Sequence, residues 1–528
     1  MTRRVPVIAL VALVLAGISA GPAARSLPRS PQAALPHAHL DMEEARPDFE
    51  PGVTAPRFRR SVAEDSGPVA VAHRSGGAPA RAAGGGKASP RLFRTGVGAG
   101  EPTLGVGKGG TIFFQALSSG PQVLASGNGG RKWRDVSPKL GSMDRHPQTL
   151  DPFLHVDPWT NRVFTFDFFF GCSLISFTDD GGESWTTTAG GCGLQDHQNL
   201  FTAPPVLSPV PVYDNVVYAC STQAGATIYS VATQCEKSLD GGITYVPTGM
   251  PPYVTDRQPE NDLGIDGYCH GAIGHGYGGP DGTIYIPKGL CGQPWLAISR
   301  DEGATWTRVQ VADNGMPLGT TGVYEHEASV AADADGNVYY FWIARNRLPY
   351  LAISRDGGET WGKPLMAGPP GLKEAALPSL ALGGRGKVAV VYMGSTNSPG
   401  EPFPESDDCK PDPVYCFRQL FFLNPPDPKS YENVTWNAYM TVTANALARD
   451  PLFHSASIND PSDPMVRGTC GPIRCKAVYD FLDVVIDDRG RPWGAFVDAC
   501  LNTCSTVGPN NQGNEGVVGT IAGGPKLR

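Results

Sequence analysis

An eight-residue pattern that returns at nearly regular spacing constrains this chain more than any other sequence feature. The clearest copy is SRDGGETW at 354–361, and four others follow its outline: SRDEGATW at 299–306, FTDDGGESW at 177–185, SLDGGITY at 238–245 and SGNGGRKW at 126–133. The glycines allow positive φ in a tight turn, and the short Asp and Ser side chains bond backbone N–H groups inside it. Apolar residues typical of strands flank each copy. The pattern therefore predicts a repeated β-hairpin that ends in a buried aromatic residue.

This pattern resembles the Asp-box, or BNR repeat, of sialidases and related β-propellers, whose consensus is Ser-x-Asp-x-Gly-x-Thr-Trp. In that family the box joins the two outer strands of a blade and has a structural role. The resemblance implies a sialidase-like β-propeller of the sialidase superfamily over residues 96–528.

A second repeated element precedes each box: a polar residue, an apolar strand, a turn and an aromatic-rich strand. Two more copies of this element, at 377–392 and 481–496, lack a recognisable box. Seven units of roughly 60 residues each are long enough for four-stranded blades. We therefore expect an all-β propeller with seven blades, with six, the number in the sialidase fold, as the alternative. The last unit is short near 517–521, so we expect residues 91–95 to supply its outer strand and close the ring.

The N-terminal segment has the features of a targeting sequence. Residues 1–20 contain Arg3 and Arg4, an apolar run at 5–15 and then small residues, which predicts a secretory signal peptide. The apolar run is shorter than the roughly 20 residues of a membrane-spanning helix. Residues 21–95 are rich in Ala, Pro, Gly and Arg and predict a disordered linker or propeptide. We expect a secreted, extracellular protein without a membrane anchor.

The twelve cysteines fall into close sequential pairs. An even number in a secreted chain predicts disulfide bonds. Zinc binding is the alternative, and the last four cysteines could also pair between loops. The predicted pairs are Cys172/Cys192, Cys220/Cys235, Cys269/Cys291, Cys409/Cys416, Cys470/Cys475 and Cys500/Cys504.

The charge distribution limits the possible partners. The formal net charge is −8, and residues 1–95 carry 13 Lys and Arg against 7 Asp and Glu, so the remaining residues carry −14. An acidic body of this kind excludes nucleic acid and an anionic membrane surface as expected partners.

Polar residues open the first strand of most units. Because the innermost strands of a propeller begin at one end of its central channel, we expect these side chains to converge there. Carboxylates that face one another cannot all ionise easily, which favours general acid/base chemistry. The alternatives are a water-filled channel and a metal site at His197, His270 and nearby carboxylates. The set is Glu101, Asp151, His197, His270, Glu325, Glu327, Tyr479 and Asp480.

The family resemblance implies roles for some of these residues. Sialidases use a Tyr nucleophile activated by a Glu, an Asp acid/base, and three Arg that bind the substrate carboxylate. Glu327 and Tyr479 lie in segments similar to those of the Glu and the Tyr, while Arg345 and Arg418 are candidates for two Arg. The first Arg is replaced by Glu101, and residues 117–120 contain no Asp. A carboxylate at position 101 would repel sialic acid, so we do not expect exo-sialidase activity.

The sequence thus predicts a secreted glycoside hydrolase that acts on extracellular glycans without a cofactor or metal. Glu327 with Tyr479, or Glu327 with Asp480, would carry the chemistry, and Glu101 and Asp151 are further catalytic candidates. The alternative is a non-catalytic propeller that binds a glycan or a protein. The candidate substrate-binding residues are Glu325, Arg345, Arg418, His197 and His270.

Overall fold

The computed structural model describes residues 64–65, 70–76, 88–117, 122–139, 151–167, 172–192, 195–207, 212–224, 231–253, 273–290, 293–312, 328–344, 346–399, 433–468, 470, 475, 478–501, 504 and 514–528. Regular structure in these ranges consists of β-strands, with no α-helix. Accordingly, these ranges contain no helical segment of the length and hydropathy that a bilayer crossing requires.

The strands form seven antiparallel sheets, which are the blades of a β-propeller. Three strands precede the first blade: β1 (Glu64–Asp65), β2 (Val71–His73) and β3 (Ser89–Gly98). Blades one to five each have four strands, in chain order from the innermost outwards. They are β4 (Thr103–Val106), β5 (Ile112–Gln115), β6 (Val123–Ser126) and β7 (Arg134–Asp135); β8 (Pro152–Val156), β9 (Val163–Asp167), β10 (Cys172–Thr178) and β11 (Thr186–Cys192); β12 (Gln195–Ala203), β13 (Val216–Ala224), β14 (Val231–Ser238) and β15 (Val246–Pro247); β16 (Tyr277–Gly278), β17 (Ile284–Leu290), β18 (Gln293–Ser299) and β19 (Thr307–Gln310); and β20 (Ser329–Ala332), β21 (Val338–Ile343), β22 (Pro349–Ser354) and β23 (Leu365–Met366).

The last two blades incorporate strands from the N-terminal side of the chain. Blade six contains β24 (Glu374–Gly384), β25 (Lys387–Ser395), β26 (Thr435–Thr443) and β27 (Phe453–Ser457), with β2 outside β27 and β28 (Val466–Arg467) beside β26. Blade seven contains β29 (Asp483–Ile486), β30 (Pro492–Asp498) and β31 (Glu515–Ala522), followed by β3 and β1. The seven-bladed prediction is confirmed, and so is ring closure by residues 91–95, because β3 pairs with β31.

Three described pieces of the segment predicted to be a linker or propeptide are strands. They are β1, β2 and the first part of β3, and each pairs with a blade. In β2 the side chain of His73 is buried, stacks on Phe453 at 5.6 Å between ring centroids, and places Nε2 2.7 Å from Ser455 Oγ. Strands of two or three residues are too short to show a period in the sequence.

The octapeptide turns connect the third and fourth strands of blades one to five. In the copy at 354–361, Ser354 Oγ donates to Asp356 Oδ1 at 2.6 Å and accepts from the Gly358 N–H at 2.9 Å. Asp356 also accepts bonds from the backbone N–H and hydroxyl of Thr360. Hydrogen bonds from Ser354 and Thr360 lower the pKa of Asp356 to about 2. Gly358 has φ of +94°, a conformation that favours glycine.

Three predicted disulfide bonds are confirmed: Cys220–Cys235, Cys470–Cys475 and Cys500–Cys504. The last two show that these four cysteines pair sequentially and do not cross between loops. Backbone register also places Cys172 opposite Cys192 in the β10–β11 pair. The predicted partners Cys269, Cys291, Cys409 and Cys416 lie outside the described residues.

The innermost strands of neighbouring blades contact one another around the ring, including β29 with β4. Short polar side chains connect them: Thr103 Oγ1 accepts the N–H of Leu154, and Asn199 Oδ1 accepts the N–H of Gly276. Further polar contacts of this kind join other blades, such as the bond from the Leu380 N–H to Ser329 Oγ. This arrangement surrounds the channel with fixed backbone and brings the first residues of the inner strands to one end.

Candidate functional site

Five of the predicted site residues lie in the described part of the chain: Glu101, Asp151, His197, Tyr479 and Asp480. All five are buried near the starts of inner strands, at the channel end that we call the mouth. The other five predicted residues, Glu325, Glu327, Arg345, Arg418 and His270, lie outside the described residues.

The backbone at the mouth adopts an uncommon conformation. Glu101, His197 and Tyr479 have φ of 49°, 49° and 64°, in the left-handed region that residues other than glycine rarely occupy. Around His197 the pairing of β12 with β13 shifts register between Asp196 and Asn199. A bulge of this kind redirects side chains relative to a regular strand. Backbone strain of this type is concentrated at functional sites.

The structure brings together Asp480, His197 and Asp151, which we call the mouth cluster. His197 Nε2 lies 3.4 Å from Asp480 Oδ2, and the His197 backbone N–H donates to Asp151 Oδ2 at 3.3 Å. All three residues are buried: His197 and Asp151 are each 7% exposed to solvent, and Asp480 is 3% exposed. Blades two and three and the chain entering blade seven thus meet at one point. A carboxylate in contact with an imidazole can transfer a proton near neutral pH.

Glu101 and Tyr479 lie side by side next to this cluster. The Glu101 backbone N–H donates to the Val478 carbonyl oxygen at 3.1 Å. The Tyr479 ring covers Gly100, where a Cβ atom would lie 2.5 Å from the ring carbon Cδ2. Glycine is therefore required at position 100 for the ring to reach this place.

A second polar cluster is formed by His275, Ser379 and Asp483, the last of which follows Asp480 by three residues. Ser379 Oγ is 3.4 Å from both His275 Nδ1 and Asp483 Oδ1, and His275 Nδ1 is 3.7 Å from Asp483 Oδ1. Burial raises the pKa of Asp483 to about 7. Burial, together with the charge of His197, lowers the pKa of His275 to about 4.

Asp167 is not among the predicted site residues, because the prediction rests on the first residues of the inner strands. Asp167 ends β9 opposite Pro152, so it lies beside Asp151 in the same blade. Burial raises the pKa of Asp167 to about 7, and Gln115 Nε2 donates to its Oδ1 at 3.0 Å. Second strands return to the end where first strands begin, so this topology could have indicated Asp167.

The metal alternative finds no support in the described ranges. They contain no group of three or more His, Cys, Asp or Glu side chains arranged to hold a metal ion. His270, which that alternative also requires, lies outside them.

No protein-family model matches the sequence, and no curated protein matches it. Solved structures do match. A protein of unknown function from Dyadobacter fermentans is 15% identical, covering 81% of this chain and 96% of that one, with a TM-score of 0.39. A sialidase from Streptococcus pneumoniae is 12% identical over 80% of this chain and 69% of that one, TM-score 0.37. An α-L-arabinofuranosidase from Fusarium graminearum is 13% identical, covering 62% of this chain and 93% of that one, with a TM-score of 0.35. At these values the likeness carries no argument about the site.

Proposed function

We propose that this protein is a secreted glycoside hydrolase that acts on extracellular glycans. The observation that carries the proposal is the mouth cluster, in which His197 lies between two aspartates of other blades. Most glycoside hydrolases cleave the glycosidic bond with a pair of carboxyl groups that flank it. The predicted signal peptide and the disulfide bonds support secretion.

In this proposal Asp480 donates its proton to the glycosidic oxygen and recovers one from the attacking water, and His197 orients the Asp480 carboxyl group. Glu327 is the second catalytic group, acting with Asp480 or by activating Tyr479 as a nucleophile. Glu101 and Asp151 at the mouth offer no positive charge to the carboxylate of a sialic acid, so the proposed substrate is a neutral sugar. Glu325, Arg345, Arg418 and His270 remain proposed substrate-binding residues.

The alternative is a non-catalytic propeller that binds glycan or protein at the mouth. One observation favours it: the five described candidate residues are each at most 8% exposed. Side chains with so little exposure present little surface to a ligand, and a binding surface formed by loops does not require them.

The test is hydrolysis by the purified full-length protein of a panel of neutral aryl glycosides plus an aryl sialoside. We expect turnover of a neutral glycoside, and a fall in kcat of roughly 10²-fold or more for both Asp480→Asn and Glu327→Gln. Asp488→Asn is the control, because Asp488 lies in the β29–β30 hairpin with its side chain 52% exposed. No turnover of any glycoside would favour the binding protein, and full activity of Asp480→Asn would exclude Asp480 as the acid/base.

A further inference from the structure

A small recess lies beside the mouth cluster, between blades three, four and six. Gln198 and His275 line it together with the apolar side chains of Ile273, Pro378 and Phe481. Its floor includes Gly274, where a Cβ atom would lie 1.7 Å from a backbone oxygen, so no larger residue fits there. The cavity volume of about 10 Å³ matches the roughly 10–15 Å³ that one water-sized group requires.

Two of the polar side chains that line this recess, Gln198 and His275, have atoms without hydrogen-bond partners among the described residues. Gln198 is 2% exposed, and among the described residues neither its amide nitrogen nor its amide oxygen has a hydrogen-bond partner. The same is true of His275 Nε2. An amide buried without partners is unfavourable and uncommon in folded proteins. Three such atoms around one cavity indicate a position that a bound group completes.

The chemistry of these atoms selects the group. The Gln198 amide offers one donor and one acceptor side by side, and a hydroxyl is both an acceptor and a donor. Burial keeps His275 neutral near pH 7, because its pKa is lowered to about 4, so Nε2 can also bond a hydroxyl. An anion would gain no charge pairing from Gln198 or from neutral His275, and it would face the Gln198 amide oxygen. The apolar walls and the volume leave no room for a methylated or acylated oxygen.

We propose that the recess is a subsite that holds one unsubstituted hydroxyl of a neutral sugar bound at the mouth, with Gln198 and His275 as its specificity-determining residues. This rests on the proposed action on glycans, and it adds the class of sugar and the side chains that select it. A sugar that is deoxygenated or O-methylated at the recognised position binds weakly.

The test measures binding, not turnover, so that it is independent of hydrolysis. Methyl glycosides of glucose, galactose, mannose, xylose and arabinose are titrated into the full-length protein by ligand-observed NMR, followed by the monodeoxy and mono-O-methyl series of the best binder. We expect one position at which either change weakens binding at least tenfold. We expect Gln198→Leu to weaken binding of the parent sugar by a similar factor. It should not weaken binding of that deoxy analogue, which lacks the hydroxyl that Gln198 recognises. Gln310→Leu, in the outer strand of blade four, is the matched control and should bind as wild type.

The outcomes separate the two proposals. If Gln198→Leu weakens the binding of the parent sugar and of every analogue by the same factor, Gln198 holds only a structural water. That result would overturn the subsite. Equal binding of all deoxy analogues by the wild-type protein would overturn it without any variant, as would no binding of any glycoside. Selective binding without turnover would refute the hydrolase and leave the subsite intact.

Discussion

Replacing Asp483 with asparagine should flatten the pH dependence of stability. Its carboxylate accepts the N–H of Leu104 at Oδ2 and the N–H of Val484 at Oδ1, both at 2.8 Å. Burial nevertheless raises its pKa from 3.8 to about 7. The folded protein therefore binds this proton more tightly than the unfolded chain does. It follows that the free energy of unfolding falls as the pH rises from about 4 to about 7.

The size of the effect follows from the same values. One pKa unit corresponds to about 1.4 kcal/mol, so complete ionisation of Asp483 costs the folded state about 4 kcal/mol. Between about pH 5 and about pH 8 the wild type should lose about 3 kcal/mol through this group. Asparagine cannot ionise, so the free energy of unfolding of Asp483→Asn should fall by about 3 kcal/mol less than that of the wild type over this pH interval.

The measurement is urea unfolding of the two proteins at both pH values, with free energies obtained by linear extrapolation. Asp488→Asn, which removes an exposed carboxylate from the adjoining hairpin, serves as the control and should follow the wild type. If Asp483→Asn and the wild type lose the same free energy between the two pH values, Asp483 does not titrate as a buried carboxyl and the reasoning is refuted.

Three further substitutions test the fold by urea unfolding. Gly274→Ala should destabilise the folded protein by about 3 kcal/mol, since its methyl group would lie 1.7 Å from a backbone oxygen of the next blade. Gly127→Ala is the control, because a Cβ atom there would have no neighbour within 4 Å. Phe93→Ala should cost about 3–5 kcal/mol and expose the closing strand to proteolysis, because the ring is 3% exposed; unchanged protease resistance would contradict its role in closure. Removing the Cys220–Cys235 bond by serine substitution should cost about 3 kcal/mol, given a separation of 15 residues; equal stability of oxidised wild type and variant would contradict this.

Features of the fold that are encoded locally were predictable from the sequence. Each octapeptide turn is completed by its own Ser or Thr, Asp or Asn, and Gly residues, so five blades could be located without tertiary information. A degenerate turn in blade six was missed, because Thr443 and Asn445 replace Ser and Asp there and no Gly or Trp follows in register. Strands β1 and β2 were missed because their stability comes from pairing with a blade and not from their own composition.

The site was predictable only in part. The topology of a propeller brings the first residues of inner strands together, which indicated Asp151, His197 and Asp480. It did not indicate Gln198 and His275, whose roles depend on a register shift in β12 and on contacts across the channel. The residue pattern of a single strand does not show which side chains from different blades contact one another.

The pairing of β3 with β31 has a consequence for the order in which the protein is assembled. Ser89 pairs with Ala522, so this pairing cannot form until nearly the whole chain has been synthesised, whereas the hairpins of the blades can form earlier. Glu101 lies at the start of blade one and Tyr479 at the approach to blade seven, on the two sides of the junction that this pairing closes. In an incomplete chain the two halves of the mouth are therefore not yet joined, and the mouth would be assembled only in the final step of folding.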